Sequence, residues 1–330
     1  MNNSKTIIIS RIDSIGDVIL TLPMAGAIKQ VLPNSKVIFI GNNYTKSVIE
    51  LCVHVDVFLN AKDLINNTNG LDLLLQQNAT DIIHVFPNKK IALLAKSANI
   101  KNRIGTTNRI FHWLSCNNLI RLSRKNSSLH ESQLNLKLLK GLLIKCDYNL
   151  EEIKNLYGLK LQHQSTTHVD KSKKIKVILH PKSKGSAREW GMQNFQNLIQ
   201  LLDKNKYEVY VSGTIQEKFF ADEICSKFNH VHNICGTMNL LQFIEFINEA
   251  EVLVACSTGP LHIASALGKI AIGLYAPMKP IFPQRWAPVG TKSYCLVIDK
   301  QCNDCKKGGE CACILSLEAY KVHEIIESNF

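Results

Sequence analysis

Residues 252–275, VLVACSTGPLHIASALGKIAIGLY, carry the pattern that decides the fold. A short apolar run, Val252–Ala255, is followed by a helical segment at Pro260–Leu267 and a second apolar run at Ile270–Tyr275. Continuous apolar runs of this length are typical of strands that are buried on both faces of a parallel sheet. A helix between two such strands is the β–α–β unit, so the segment predicts an α/β protein.

The same rhythm extends outward over two parts of the chain. Strands are predicted at Thr6–Ser10, Lys36–Ile40, Val53–Leu59, Asp81–Phe86, Ile175–Leu179 and Tyr207–Val211. A helix is predicted over 17–32, with a kink at Pro23. The polar segment 161–174 interrupts the rhythm, which predicts two α/β domains, 1–160 and 175–330, joined by a linker and facing each other across a cleft.

Composition narrows the class of protein. The 330 residues include 39 Lys and Arg against 27 Asp and Glu, a formal net charge of +12, and 45% are hydrophobic. This composition excludes a disordered chain, collagen and a disulfide-rich mini-protein. No signal peptide or membrane-spanning run is evident, so a cytosolic protein is expected. The charge leaves nucleic acid, an anionic membrane and a phosphorylated substrate open as partners.

One group of cysteines differs from the scattered others among the eleven. Cys302, Cys305, Cys311 and Cys313 form a C-x2-C-x5-C-x-C pattern in a loop that contains lysine and glycine. Four thiolates could hold a structural zinc, whereas reduced thiols in a surface loop are the plainer interpretation. A four-thiolate site would be closed, so no catalytic metal is expected.

Several nucleotide-binding motifs are absent from the sequence. No G-x-G-x-x-G follows a strand, and no G-x4-G-K-[ST] occurs. The Asp-x-Asp pair that holds a metal in many nucleotide-sugar enzymes is missing too. A nucleotide phosphate would therefore have to be bound by helix N-termini and basic side chains.

The first candidate site follows the first strand. Residues 11–17 read RIDSIGD, in which Gly16 permits a tight turn and Asp17 opens a helix. A carboxylate at the carboxyl end of a parallel strand can act as a general base, or it can simply complement the helix dipole.

The second candidate site is the turn inside the opening segment. Thr258 and Gly259 can present a hydroxyl and backbone N–H groups, and Pro260 suits the first turn of a helix. Such a helix N-terminus favours an anion such as a diphosphate. His262 lies in the same turn, where it could also be an ordinary hydrogen-bonded helix histidine.

Two further loops follow strands of the second half. Residues 180–190, HPKSKGSAREW, supply the cations Lys182, Lys184 and Arg188, which could neutralise phosphate or lie on a solvated surface. Residues 212–217 read SGTIQE, where Glu217 could hold a ribose hydroxyl or complement a helix dipole.

Taken together, these segments resemble glycosyltransferase family 9, the ADP-heptose:lipopolysaccharide heptosyltransferases. The resemblance spans nearly the whole chain and rests most specifically on residues 257–268, STGPLHIASALG. It also rests on SIGD at 14–17 with Pro23, on 180–190, and on Gly213 with Glu217. It implies the GT-B fold, two Rossmann-like domains, and an inverting enzyme that requires no metal or other cofactor beyond its nucleotide-sugar donor.

The resemblance also implies roles for single residues. Asp17 matches the catalytic base, and the expected donor-binding residues are Lys184, Arg188, Glu217, Met238, Ser257, Thr258, Gly259 and His262. Two positions depart from the family pattern: Ser257 stands where many members have aspartate, and Arg188 stands where lysine is usual. ADP-heptose is the expected donor, but the serine leaves another nucleotide-sugar open.

The basic charge is concentrated in the first half. From Ile82 to His130 there is no Asp or Glu, and Phe111 and Trp113 lie among the cations. An acidic lipopolysaccharide core would fit this stretch, and the residues expected to bind it are Ser14, Gly16, Arg103, Arg121 and Arg124. Peripheral attachment to the cytoplasmic face of the inner membrane is expected, with Phe111 and Trp113 dipping into it. A non-catalytic protein that binds nucleotides or nucleic acid is the alternative, but no nucleic-acid motif accompanies the patch.

Overall fold

The computed structural model describes residues 5–161, 174–185, 187–279, 281–298 and 312–330. They form two compact units, Met1–Lys160 and Leu161–Phe330. Most of the segment that was expected to be a linker, 161–174, lies outside the described residues. Within them, no helix is long and apolar enough to cross a bilayer.

The first unit is built on a six-stranded sheet in which all neighbouring strands are parallel. Its strands are β1 (Thr6–Ser10), β2 (Lys36–Gly41), β3 (Val57–Asn60), β4 (Asp81–His84), β5 (Asn102–Thr106) and β6 (Asn118–Ile120). Their order across the sheet is β3-β2-β1-β4-β5-β6. Residues 7–9 of β1 are three consecutive isoleucines with no exposed surface, as expected for a central strand covered on both faces.

The helices of this unit connect its strands and cover the sheet. They are α1 (Ile15–Ile19), α2 (Pro23–Val31), α3 (Lys46–Glu50), α4 (Ala61–Asn66), α5 (Gly70–Leu75), α6 (Lys89–Ser97), α7 (Ile110–Ser115), α8 (Glu131–Leu136) and α9 (Leu150–Ile153). The expectation of one kinked helix over 17–32 is wrong. Pro23 starts a separate helix, because proline lacks the N–H that a continuing helix would need.

The second unit repeats the plan. Its strands, again all parallel, are β7 (Ile175–His180), β8 (Tyr207–Val211), β9 (Val231–Asn233), β10 (Val252–Cys256), β11 (Ile270–Tyr275) and β12 (Ser293–Val297). Its helices are α10 (Met192–Leu201), α11 (Lys218–Cys225), α12 (Leu240–Glu249), α13 (Gly259–Ala266), α14 (Pro283–Trp286), α15 (Ala312–Leu315) and α16 (Ala319–Glu327). The strand order is β12-β11-β10-β7-β8-β9.

Both orders are those of a doubly wound sheet, so the predicted α/β class is confirmed. In each unit the first strand lies between the second and the fourth, so the chain winds outward from it in two directions. Ligands of such sheets bind at the carboxyl ends of the strands where the winding reverses. That point lies between β1 and β4 in the first unit and between β7 and β10 in the second.

Candidate active site

The loop after β1 fixes the carboxylate of Asp17. Ser14 is the N-cap of α1, and Asp17 is the third residue of that helix. The Ser14 hydroxyl donates to Asp17 Oδ2, and Arg11 Nη2 donates to Asp17 Oδ1. A carboxylate can accept about four hydrogen bonds, and the Asp17 side chain keeps 17% of its surface exposed. The carboxylate can therefore accept another hydrogen bond from a ligand hydroxyl.

Arg11 holds three carboxylates at once. Its Nε lies 2.6 Å from Asp13 Oδ1, Nη1 lies 3.2 Å from Glu131 Oε1, and Nη2 pairs with Asp17. The side chain is only 5% exposed, so these charge-assisted bonds are shielded from solvent. Burial alone would lower the pKa of Arg11, but attraction to Asp17, Asp13 and Glu131 outweighs it and raises the pKa. The planar guanidinium therefore fixes the orientation of Asp17.

The carboxyl group of Asp13 has a raised pKa. Burial raises its pKa to about 6, against the opposing attraction of Arg11. The negative charge of Asp17 raises it further. The cluster therefore includes a carboxyl group that titrates near neutral pH, beside the expected catalytic base.

The three arginines expected at the acceptor differ in their surroundings. Arg103 Nε donates to the carbonyl of Ser115 at 2.7 Å, and Arg124 is half-buried and pairs with Glu131. Arg121 is exposed. Arg103 and Arg124 thus bond within the first unit and are partly exposed, whereas Arg121 is exposed. Gly16 is buried within α1, next to Asp17.

The turn from β10 into α13 forms the core of the second candidate region. Thr258 is the N-cap of α13, Gly259 is its first residue, and Pro260 follows. Thr258 is 8% exposed, and its Oγ1 has no hydrogen-bond partner among the described residues. His262, 3% exposed, lies in the first turn. A helix N-terminus with a buried hydroxyl that makes no internal bond suits an anionic ligand.

Ser257 and Arg188 line one small pocket, together with Tyr275 and Met278. Ser257 forms a side-chain hydrogen bond with the Tyr275 hydroxyl, which also donates to the carbonyl of Trp286 at 2.5 Å. Burial raises the pKa of Tyr275 well above its usual value. The pocket brings together the two residues at which the sequence departs from the family pattern.

One of the three cations in the loop after β7 is already paired with a carboxylate. Lys182 Nζ lies 2.5 Å from Glu189 Oε2, so this lysine already has a carboxylate partner. Lys184 is exposed and has a φ of +50°, a left-handed conformation that begins a turn continued by Gly185 at +78°. Contact of Lys184 and Arg188 with a diphosphate stays a prediction.

Glu217 and Met238 lie on adjoining loops. Glu217 Oε2 accepts a 2.6 Å hydrogen bond from Thr214 N, so the carboxylate closes the short 3-10 turn Ile215–Glu217 that precedes α11. Gly236 N donates to Gly213 O at 3.0 Å, which joins the loop that leads to Met238 to the loop of Glu217. Glu217 thus makes a local contact within its own turn, and its contact with ribose stays a prediction.

The sequence did not identify His180 as a site residue. His180 ends β7, and its Nδ1 lies 3.0 Å from Ser212 Oγ. Burial lowers the pKa of His180 to about 4, with a smaller opposing effect of Glu217 and a further lowering by Lys184. Its bond to Ser212, the first residue of the loop that contains Glu217, places it beside an expected donor residue. The available signal was its position at the carboxyl end of a buried strand.

Comparison with known proteins identifies the family. The model of glycosyltransferase family 9 (heptosyltransferase) matches residues 72–313. This chain belongs to glycosyltransferase family 9. The resemblance suggested by its motifs is confirmed, and the chain is a glycosyltransferase rather than a non-catalytic binding protein.

Individual relatives of this family 9 chain are distant. A Haemophilus influenzae protein whose name gives glycosyltransferase as a proposed activity is 25% identical over 325 residues, covering 93% of this chain and 90% of its own. Lipopolysaccharide heptosyltransferase 2 of Salmonella typhimurium is 26% identical over 103 residues, 30% of each chain.

Solved structures share the fold over the full length. A family 9 glycosyltransferase from Veillonella parvula has a TM-score of 0.80 and 18% identity, with 99% of this chain and 98% of that one covered. Escherichia coli heptosyltransferase WaaC with ADP has a TM-score of 0.75 and 18% identity, covering 98% and 100%. The fold class is therefore GT-B, as predicted.

The cysteine cluster lies largely outside the described residues. Of its four members only Cys313 is described, as a buried cysteine on α15. Across the described ranges no group of three or more His, Cys, Asp or Glu side chains is arranged to hold a metal ion. The structural zinc and the absence of a catalytic metal both remain predictions.

Proposed function

We propose that this family 9 enzyme transfers a heptose from ADP-heptose to the inner core of lipopolysaccharide, with inversion and without a metal. The observation that carries the proposal is the N-terminus of α13, where the buried Thr258 hydroxyl makes no bond within the described structure. Names of relatives support the sugar and the acceptor, since one is a lipopolysaccharide heptosyltransferase. The similar solved structure of Escherichia coli heptosyltransferase WaaC, which contains ADP, supports ADP as the nucleotide.

The second unit supplies the groups that a leaving nucleotide diphosphate needs. Backbone N–H groups of α13 and the Thr258 hydroxyl are oriented before the reaction, so they can stabilise the charge that develops as the anomeric carbon–oxygen bond breaks. Lys184 and Arg188 add positive charge from the loop that follows β7, the strand next to β10. Glu217 and Met238 are assigned to ribose and adenine, and His262 to the diphosphate turn.

The first unit supplies the base. Asp17 takes the proton of the acceptor hydroxyl, and the resulting oxygen attacks the anomeric carbon on the face opposite the diphosphate. Arg11 and Ser14 hold the carboxylate in one orientation during this step. Ser14, Gly16 and Arg121 are assigned to contact with the acceptor. Arg103 and Arg124 are assigned an indirect role, in which they stabilise the part of the first unit that binds the acceptor.

A second donor remains a candidate because of Ser257. Its hydroxyl is bonded to buried Tyr275, so the pocket offers a neutral group where many family members have a carboxylate. A neutral pocket would bind a sugar through different hydroxyl contacts, and hydrogen-bond mismatches discriminate strongly between substrates. A nucleotide-sugar other than ADP-heptose is therefore the alternative donor.

We assign the enzyme to the cytoplasmic face of the inner membrane, as a peripheral protein. A lipid-linked acceptor requires access to that surface, and the acid-free stretch 82–130 supplies positive charge. Nucleic acid is not proposed as a partner.

The test combines a donor screen with one isosteric substitution. The full chain is assayed for transfer from ADP-heptose and from other nucleotide-sugars to truncated lipopolysaccharide, with ADP-heptose expected to be the best donor. Asp17→Asn should reduce turnover by about 10²- to 10⁴-fold, the usual contribution of a general base, while binding of the nucleotide-sugar is unchanged.

Asp13→Asn is the matched control, because Asp13 shares the Arg11 guanidinium but is not assigned the proton transfer. It should retain most of the activity. Full turnover in Asp17→Asn would contradict the assigned base, whereas transfer from a different donor alone would establish the alternative.

A further inference from the structure

Helix α7 exposes three large apolar side chains. Ile110 is 86% exposed, Trp113 is 62% exposed and Leu114 is 70% exposed, on a helix of six residues. The sequence predicts that Phe111 and Trp113 are the side chains that dip into the membrane. Phe111 is instead half-buried, with its ring edge-on to buried His112 at 4.7 Å between centroids. The exposed apolar set is therefore different from the predicted one.

The neighbouring helix extends this surface. Leu93 on α6 is 42% exposed, and α6 packs against α7. Lys96 Nζ donates to the carbonyl of Leu114 at 2.9 Å, and the Trp113 indole N–H donates to the carbonyl of Thr107 at 3.1 Å. These bonds hold α7 and its indole in place. We call Leu93, Ile110, Trp113 and Leu114 the α6–α7 apolar face.

The charged side chains of the sequence segment that forms this face have one sign. Lys90 and Lys96 are exposed on α6, Arg109 is exposed at the N-cap of α7, and the whole stretch 82–130 contains no acidic residue. Anionic lipid favours each nearby basic residue by about 1 kcal/mol, which is about a fivefold gain in partitioning. Amphipathic helices with aromatic and aliphatic residues on one side and cations beside them are typical of membrane interfaces.

We propose that the α6–α7 apolar face inserts into the interfacial region of an anionic membrane. A second copy of this chain fits the face less well, because a symmetric dimer would bring two acid-free basic segments together. Nucleic acid would use the cations but not the aliphatic side chains. The inference takes from the proposed function only the lipid-linked acceptor, and the binding it predicts needs neither donor nor transfer.

The experiment measures binding of the full chain to vesicles that contain no acceptor. Vesicles of phosphatidylcholine with a quarter phosphatidylglycerol should bind the chain, pure phosphatidylcholine should bind it much less, and added salt should weaken binding. Ile110→Ser combined with Leu114→Ser should lower partitioning by at least tenfold. Arg109→Gln alone should lower it by about fivefold at low salt and by less at high salt.

The control is Phe219→Ser, which removes an apolar side chain of the second unit that is 81% exposed. It should leave vesicle binding unchanged. Because α7 is short, a milder variant, Leu114→Asn, guards against misfolding and should give an intermediate loss. Far-UV circular dichroism checks that each variant is folded.

Three results would overturn the inference. They are equal binding to both kinds of vesicle, no loss in the serine double variant, and a dimer that this double variant abolishes. The proposed function is tested separately: vesicle binding without transfer would leave this inference standing and reject the donor or acceptor. With both intact, the double variant should lose transfer to acceptor in vesicles and retain transfer to soluble acceptor.

Discussion

Replacing His84 with leucine should make the first unit less sensitive to acid. His84 ends β4 and is 1% exposed, and neither ring nitrogen has a hydrogen-bond partner among the described protein atoms. Burial, with smaller effects of His112 and Arg103, lowers its pKa to about 3. The folded unit therefore contains a neutral imidazole that the unfolded chain would protonate at moderately acidic pH.

The size of the effect follows from the two pKa values. An unfolded histidine titrates near 6.5, so at pH 5 protonation favours the unfolded state by a factor of about 33, or about 2 kcal/mol. The stability is fully present above pH 6.5 and is lost progressively as the pH falls toward 3. His84→Leu removes this pH-dependent contribution to the free energy of unfolding. The free energy of unfolding of the variant should therefore gain about 2 kcal/mol relative to the wild type between pH 8 and pH 5.

The assay is urea unfolding of both proteins at several pH values. Amide exchange of β1 and β4 identifies the transition of the first unit, because two of the three tryptophans, Trp190 and Trp286, belong to the second. Asp13, whose raised pKa gives stability that falls as the pH rises toward 6, acts in the opposite direction but is present in both proteins. A difference between variant and wild type that does not change with pH would refute the buried neutral histidine.

Two packing predictions concern buried positions. Gly26→Ala should destabilise the first unit by about 1–3 kcal/mol, since the new Cβ would lie 2.2 Å from the backbone oxygen of Leu156, which cannot rotate away. Unchanged urea unfolding of that variant would show that α2 can move. Trp190→Phe should destabilise the second unit by about 1–3 kcal/mol, because it deletes the 2.8 Å bond from the indole to the Leu317 carbonyl. Faster amide exchange in α16 is the measurement, and protection equal to the wild type would count against it.

The sequence predicted eight of the twelve strands in the described residues and missed the interior strand β5 and the edge strands β6, β9 and β12. Thr6–Ser10 and Ile270–Tyr275 have the predicted bounds, because strands buried on both faces have continuous apolar sequences. The edge strands β6, with sequence NLI, and β9, with sequence VHN, are short and partly polar, so nothing in their sequences separates them from loops. The strand expected at Val53–Leu59 begins later, at Val57.

Placement of the candidate site followed from topology, but its internal bonding did not. Each proposed loop was expected at the carboxyl end of a parallel strand, and β1, β7, β8 and β10 do end at these loops. The bond from Arg11 to Glu131 joins residues 120 positions apart, and no local pattern indicates such a pair. His180 was missed for a similar reason, since its hydrogen bond to Ser212 depends on how the loops after β7 and β8 meet.

The net charge of +12 combines cations with different physical roles. Within the acid-free stretch, Arg103 binds backbone carbonyls and Arg124 binds a buried carboxylate, so neither adds its full charge to the outer surface. Arg109 and Arg121 are exposed, so they add their full charge to the outer surface. Charges bound inside the unit stabilise it and are little affected by salt, whereas exposed charges attract anions at a distance and are screened within about 10 Å at 0.1 M salt. The strength of attraction to an acidic acceptor or membrane should therefore follow the number of exposed cations and not the total charge.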